Sequence, residues 1–425
     1  MPREKVGDFF GAPDAEMALL ACLPMLLAAA HRVAPDGLEL RAVGAADAHR
    51  LQRLLSSSYV ASADERLRLD LPTSTLRWLL QTPGACAELN IGLCEVDSGE
   101  LIAVVCATPS PLRVHGERCD AVEVGLLCVA RRWQRRGLAR LLLAELRERA
   151  AAHGVRCAIY TTATPRGPPL LVARAFHRPL RPRALARRGF WPGATAGDVA
   201  AATRLPAPPG GQLRLRPMGA ADVERCHRLL LASASAAAIG AAPTLEQFAH
   251  RCCAAGRSAF SRPVSRASHS YVVDGTRGEG VVGFVSFVLL PLRTSGGASL
   301  VQAQLIGYAL REEASEGESL ETPGEQTPAS SRDRRAARGA PLSHARLLGA
   351  ALGRARRLGA HVFNALALGD CRPHVLSALG FEEGDVPTHV YIERGSLAAD
   401  VSLRLGELFG GGLSASEVQW LPIGL

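Results

Sequence analysis

The sequence predicts a mixed α/β fold built from two tandem units related by an internal duplication. Three observations predict it. The stretch LELRAVGAADAHRLQRLL, Leu38 to Leu55, returns 175 residues later as LRLRPMGAADVERCHRLL, Leu213 to Leu230, with eleven of eighteen positions identical. Both copies close alike, on Leu185-Ala186-Arg187-Arg188-Gly189-Phe190 and on Leu376-Ser377-Ala378-Leu379-Gly380-Phe381. Between start and close each copy shows strands, a helix and a further strand, near 147–163 and 352–368.

The bounds follow from these repeats. Residues 1–37 read as a lead-in and 38–191 as the first unit. Residues 192–211, with Pro-Ala-Pro-Pro-Gly-Gly, read as a linker, and 212–425 as the second unit. In the lead-in, Met17 to Ala30 is apolar but too short to span a bilayer, and Pro24 interrupts it. Each repeat opens with a strand, a turn and a helix preceded by an acid suited to a cap, Asp47 in the first copy. In the second copy Tyr271-Val272-Val273 and Val281 to Leu290 read as strands joined by a hairpin over Gly275 to Gly280. Residues 311–341, rich in Glu, Ser, Thr, Pro and Arg, read as a disordered insert.

Composition bounds the function. At 425 residues, 48% hydrophobic and 21% charged, the chain is a globular protein with room for full cores. A net charge of +9 fits a solvated, arginine-rich surface, or attraction to polyanionic cofactors or an acidic membrane. Nucleic acid is not expected: helix-turn-helix and zinc-finger spacings are missing, and few aromatics lie beside basic clusters. The eleven cysteines include no C-x-x-C pair. With no signal-peptide pattern, they read as reduced thiols of a cytoplasmic protein. A metal site is not suggested by the spacing.

The stretch Val122 to Ala150 carries the chemistry. Val122, Val124 and Leu126 to Val129 form an apolar run of strand length, Arg131 to Gly137 break it, and Leu138, Leu141, Leu142 and Leu146 recur at helical spacing. A helix starting at Gly137 behind a cluster of arginines offers free backbone N–H groups and cations to a pyrophosphate. The residues fit a basic turn on an ordinary βα unit too; the strand–turn–helix context favours the anion site. Gln134-Arg135-Arg136-Gly137-Leu138-Ala139 resembles the coenzyme A loop of the GNAT superfamily of N-acetyltransferases, Gln/Arg-x-x-Gly-x-Gly/Ala. In the second copy the matching strand runs into 311–341, so a second coenzyme A site is not expected.

Two such units in one chain resemble protein N-myristoyltransferase. Val122 to Val129 is similar to that family's VEINFLCV, Ala158 to Thr161 to AVYT, and Phe176 to Arg183 to YWHRSLNPRKL. Leu215 to Met218, Phe284 to Phe287 and Val362 to Leu366 match LRPM, FLSF and VFNAL. Ser58-Tyr59-Val60 with Leu67 to Asp70 resembles NYVEDDDNMFRFDYS, and Phe9-Phe10 echoes an N-terminal aromatic pair.

The resemblance implies two GNAT-like acyl-CoA N-acyltransferase units that move a myristoyl group from myristoyl-CoA, a co-substrate, to the amine of an N-terminal glycine. It implies an oxyanion hole at the backbone N–H groups of Leu126 and Leu127, where the strand would bulge. The donor would meet Phe9, Phe10, Cys128 and Val129, and the loop from Arg135 and Arg136 through Gly137, Leu138 and Ala139. The peptide would meet Tyr59, Asp64, Thr161, His177, Ser286 and Asn364. The base would be the carboxylate of Leu425, at the end of an apolar tail that is longer than the family's and carries Gly410-Gly411-Gly412. Residues Thr161 and Asn364 fit strand-end hydrogen bonding as well as amine binding, and His177 fits a positioning group. A monomer is implied; contact with membranes or ribosomes stays open. The chain departs from the family at Gly125 (Asn), at Ala367 (Asp), and at Ala61-Ser62-Ala63-Asp64-Glu65, where an acidic run has lost most of its charge. Transfer of a shorter acyl group, or silent binding of acyl-CoA, are the rival readings.

Overall fold

The structure is a computed structural model. It describes residues 34–59, 67–155, 157–188, 195–203, 213–253, 267–275, 278–294, 296–311, 342–394 and 414–419. The lead-in through residue 33 and nearly all of 311–341 lie outside the described residues.

The first copy contributes β1 Leu38–Ala42, β2 Leu67–Leu69, β3 Ile91–Glu95, β4 Leu101–Pro109, β5 Leu112–Val114 and β6 Glu117–Cys119. It continues with β7 Ala121–Val129, β8 Cys157–Thr162 and β9 Leu171–Pro179. Its helices are α1 Ala48–Ser58, α2 Thr73–Leu80, α3 Leu138–Ala152 and α4 Pro182–Arg187. Helix α5, Ala196–Thr203, lies within the stretch expected to be a linker. The second copy has β10 Arg216–Pro217, α6 Val223–Ser235, β11 Ile239–Ala241, α7 Leu245–Cys252 and β12 Ser268–Asp274. It continues with β13 Val281–Thr294, β14 Ser299–Leu310, α8 His344–Arg357, β15 Val362–Leu366, α9 Pro373–Ala378 and β16 Glu382–Arg394. A short strand β17, Val418–Gln419, follows.

The most identical stretch of the duplication has a physical reason. In the first copy Asp47 accepts the Gly44 N–H at 3.1 Å and a hydrogen bond from Arg41 at 3.1 Å. In the second, Asp222 accepts the Gly219 N–H at 2.8 Å and two bonds from Arg216 at 2.7 and 2.8 Å. One carboxylate thus caps the helical turn and ties it to the preceding strand, which constrains Arg, Gly and Asp together.

Among the described residues the main sheet has thirteen strands, in the order β1-β3-β4-β7-β8-β16-β9-β15-β14-β13-β12-β10, with β2 paired to β13. The last strand of each copy is exchanged. Strand β9 pairs with β15 of the second copy, and β16 pairs with β8 of the first. The two also pair with each other, so the halves share one hydrogen-bonded sheet. On one face α3 packs on Ile102, Val105 and Val122, and α8 on Val285, Phe287 and Leu305. On the other, α1 and α2 cover Val104, Cys106 and Cys128, and α6 and α7 cover Val272 and Phe284. A second sheet, β17-β11-β5-β6, closes the seam on that second face through Leu112, Ile239 and Val418. Strand β2 reaches across to β13, and Trp78 of α2 exchanges hydrogen bonds with His250 of α7 at 3.0 and 2.8 Å.

Candidate active site

The pairing of β7 with β8 is parallel and covers only Ala121 to Glu123. Beyond Glu123 the two strands have no further register partners, so the sheet opens between them. On its other side β7 pairs with β4, and Cys128 faces Val104 while Gly125 faces Cys106. Two residues, Leu126 and Leu127, therefore stand opposite one, Val105. This is a β-bulge, where the family resemblance implies one. Leu126 takes a left-handed φ of 53°, a strained conformation for a bulky side chain. The bulge turns the Leu126 side chain into the core under α1 and α2 and Leu127 toward the core under α3. Both side chains pack, while the backbone between Gly125 and Cys128 leaves the β4 ladder.

From the bulge the chain runs through a turn of 3-10 helix, Arg131–Trp133, to α3. Arg135 and the Gly137 N-cap have φ values of 63° and 77°, which curl the loop back over the helix start. A Cβ on Gly137 would meet nothing within 4 Å, so glycine serves the backbone turn rather than a tight packing contact. The Arg136 guanidinium lies 4.5 Å from the Trp133 ring centroid, and Arg132 is paired with Glu95 and Glu100. Residues Arg135, Arg136 and Gly137 are exposed, while Leu138 and Ala139 anchor the first turn in the core. No side chain caps α3, and its first turn holds no acid. The corresponding helix α8 is capped by the Ser343 hydroxyl, which accepts the Arg346 N–H at 3.3 Å. The first copy thus keeps its helix N-terminus open to an anion, and the second satisfies its own.

The second copy repeats the opening in outline. Its parallel pair β14–β15 covers only Gln302 to Gln304, and β14 bulges at Ile306. Here the paired rows are polar. Gln304 is in register with Asn364, and Asn364 with His177. The Nδ1 of His177 lies 2.9 Å from the Oδ1 of Asn364, and all three side chains are at most 1% exposed. Among the described residues, the Gln304 Oε1 and the Asn364 Nδ2 have no hydrogen-bond partner. Such buried groups carry unused bonding capacity that a polar ligand can satisfy.

Thr161 is half-buried on β8 opposite Val390. Strand alternation points it to the same face as His177 and Asn364, the face closed by the second sheet. Ser286 also belongs to that face, but its hydroxyl is 2.6 Å from the Ser270 hydroxyl and its side chain is fully buried. Tyr59 ends α1 and packs against the core that holds Leu126 and Cys128. Burial, then the neighbouring Cys128 thiol, pushes its phenol up to about 12, so it stays protonated near neutrality. Phe9, Phe10, Asp64 and Leu425 lie outside the described residues.

A cavity lies between the copies. It is lined from the first by Trp78, Thr108 and Glu123 and from the second by Phe284, Gly307 and Tyr308. Gln419 of β17 also lines it. Sequence reasoning missed Glu123 and Gln419. A lone carboxylate within the apolar run Val122 to Val129 was the available signal for the first. It missed Arg166 as well, which sits in the turn after β8. Because β7 and β8 are parallel, that turn and the Arg131 to Gly137 loop leave the same end of the sheet. Arg166 is 7% exposed, and its three guanidinium nitrogens have no partner among the described residues. Burial lowers its proton affinity. Its backbone N–H donates to the Tyr391 hydroxyl at 2.6 Å, and Tyr391 stacks on Tyr160. A buried cation without a partner is suited to hold an anion or a carbonyl.

Residues 36–170 match the N-terminal domain of the family described as myristoyl-CoA:protein N-myristoyltransferase, and residues 192–393 match its C-terminal domain. A glycylpeptide N-tetradecanoyltransferase of Aspergillus fumigatus is 30% identical over 203 residues, 46% of this chain and 40% of that protein. A probable glycylpeptide N-tetradecanoyltransferase of Caenorhabditis elegans is 29% identical over 253 residues, 58% and 54% of the two chains. The chain thus spans about half the length of the curated relatives it matches, or less. The structure of Saccharomyces cerevisiae N-myristoyltransferase with bound myristoyl-CoA has the same fold, with a TM-score of 0.69, 24% identity and 87% of each chain covered.

Proposed function

Because the chain belongs to the myristoyl-CoA:protein N-myristoyltransferase family, matched in both of its domains, we propose that it transfers a myristoyl group from myristoyl-CoA to the α-amine of an N-terminal glycine. The observation that carries this reading is the bulge at Leu126-Leu127, set beside an opened β7–β8 pair and the uncapped start of α3.

The α3 N-terminus with Arg135 and Arg136 holds the pyrophosphate. The thioester enters the gap between β7 and β8. Glycine nitrogen attacks its carbonyl carbon, and the oxygen gathers charge against the N–H groups of Leu126 and Leu127. Collapse breaks the C–S bond, and the second amine proton passes to the departing sulfur, so coenzyme A leaves as the thiol. The ammonium first gives up a proton, and the base is the carboxylate of Leu425. In support, β17 brings the chain to the cavity at Gln419, and six further residues can extend ~20 Å. Thr161, Asn364 and His177 orient the amine and the first peptide groups, with Tyr59, Asp64 and Ser286 further along. The acyl chain, worth about 0.8 kcal/mol per buried CH₂, enters the apolar core near Leu126 and Cys128. Phe9 and Phe10 belong with the residues that bind the donor. The protein acts as a cytoplasmic monomer on proteins with an N-terminal glycine. No helix of the described residues is long and apolar enough to cross a membrane.

The test gives purified protein labelled myristoyl-CoA or acetyl-CoA with a Gly-Asn-x-x-x-Ser peptide. Myristoyl transfer is expected. Transfer of acetyl alone, or binding of donor with no transfer, would refute it. Removing the last residues through Leu425 should abolish turnover and spare donor binding; unchanged turnover would exclude the carboxylate.

A further inference from the structure

Cys86, Glu88 and His153 meet at the end of α3 remote from the donor loop. The Glu88 Oε2 lies 2.7 Å from the His153 Nε2 and 3.4 Å from the Cys86 Sγ, and that Sγ is 3.8 Å from the same Nε2. We propose that these three side chains form a binding site for a transition-metal dication of the Zn²⁺ type.

The distances fit a shared ion. With ordinary Zn–S, Zn–N and Zn–O bonds, ligand atoms at tetrahedral corners stand roughly 3.4–3.6 Å apart. Two of the three separations are within a few tenths of an ångström of that spacing. The third, between Glu88 and His153, is the shorter hydrogen bond that these groups make without a cation. Both side chains are partly exposed, at 61% and 41%, so a modest rotation opens it.

The donor set is selective. A thiolate, an imidazole and one carboxylate suit zinc or a similar ion rather than magnesium or calcium, which take oxygen. Thiolate and carboxylate together cancel the charge of the dication, and the thiol proton passes to solvent on binding. Water takes the fourth corner. The Sγ stands almost equally far from the two ring nitrogens, 3.8 Å from Nε2 and 3.9 Å from Nδ1.

The scaffold holds the three groups independently of any ion. Cys86 and Glu88 flank a tight turn in which the Leu89 N–H bonds to the Cys86 carbonyl at 3.1 Å. His153 is the C-cap of α3, where helix carbonyls place partial negative charge. Arg149 clamps the two parts together, donating to the Glu88 carbonyl at 3.2 Å while Glu145 takes its charge at 2.7 Å. The ion would fasten the α3 terminus to the segment that leads into β3.

The test titrates the full-length, metal-stripped protein with Zn²⁺ and with Co²⁺, alongside Cys86→Ser, His153→Gln and the control Cys119→Ser. The expected result is one equivalent bound, a cobalt spectrum with a thiolate charge-transfer band, and a zinc-dependent rise in melting temperature. All three signals should survive in Cys119→Ser. In Cys86→Ser the band should vanish, and affinity should fall at least about a hundredfold in both ligand variants. Equal stoichiometry and affinity in the wild type and both ligand variants would overturn the proposal. So would failure of the wild type to bind either ion at micromolar concentration.

Discussion

The imidazole of His177 and the amide of Asn364 meet 2.9 Å apart across the join between β9, the last strand of the first copy, and β15 of the second. Neither copy has this pair by itself. Asn364→Ala removes this buried hydrogen bond to His177, which should cost about 1–3 kcal/mol of stability. If the pair also orients the peptide, its KM rises while the KM for donor holds. Chemical denaturation and two-substrate kinetics separate these outcomes; KM values unchanged from the wild type for both substrates would assign the pair to structure alone.

The N-cap of α3 predicts the opposite pattern. Gly137 has a φ of 77°, so Gly137→Ala should strain the loop by about 1 kcal/mol. Arg135→Ala removes an exposed cation beside it. Each should raise the KM for acyl-CoA severalfold and leave the peptide KM unchanged. For Arg135→Ala, the salt sensitivity of donor binding should shrink too, which titration at two ionic strengths measures.

Arg166 offers a test in which stability and function move in opposite directions. Its guanidinium is buried without a partner among the described residues. Arg166→Leu should raise the melting temperature, because an apolar side chain relieves an uncompensated buried charge. If the guanidinium serves the donor, the same change weakens donor binding. A melting temperature that falls would show that the charge is already compensated.

Acid should destabilise the fold in two separate windows. Burial first, then Arg188 and Arg181, lowers His361 from its usual 6.5 to about 4. The unfolded chain then binds the proton more tightly than the folded one, so stability is complete above about 6.5 and is lost as pH falls toward about 4. Asp222 is lowered chiefly by its hydrogen bond from Arg216, so its contribution is lost only at more acid pH, below the ordinary carboxylate range. Melting temperatures recorded across both windows should show His361→Gln flattening the upper one and leaving the lower intact.

The duplication and the strand–loop–helix unit were legible because each rests on local chemistry, whereas the bulge was implied by the family resemblance alone. An Arg–Asp tie at a helix start demands the same few residues in both copies, so it survives as identity. A glycine at positive φ and a run of arginines mark a helix opening wherever they occur. Helix α5 in the expected linker was not legible, since Pro and Gly on both sides of Ala196 to Thr203 masked a short alanine-rich stretch. Glu123 was hidden by the apolar strand around it, and Arg166 by a turn whose neighbours are exposed.

By itself the sequence determined that two related units exist, that only the first carries a glycine and arginine loop of a kind suited to an anion, and which family they resemble. Those features depend on residues near one another in the chain, where spacing and composition act directly. Tertiary structure decided that the last strands are exchanged, which puts His177 beside Asn364 and makes the seam a joint product of both copies. It also brought Cys86 and Glu88 to His153, across a gap that no spacing rule spans. Strand order and such long-range meetings are set by burying both faces of one continuous sheet, a constraint on the whole chain that no local stretch encodes.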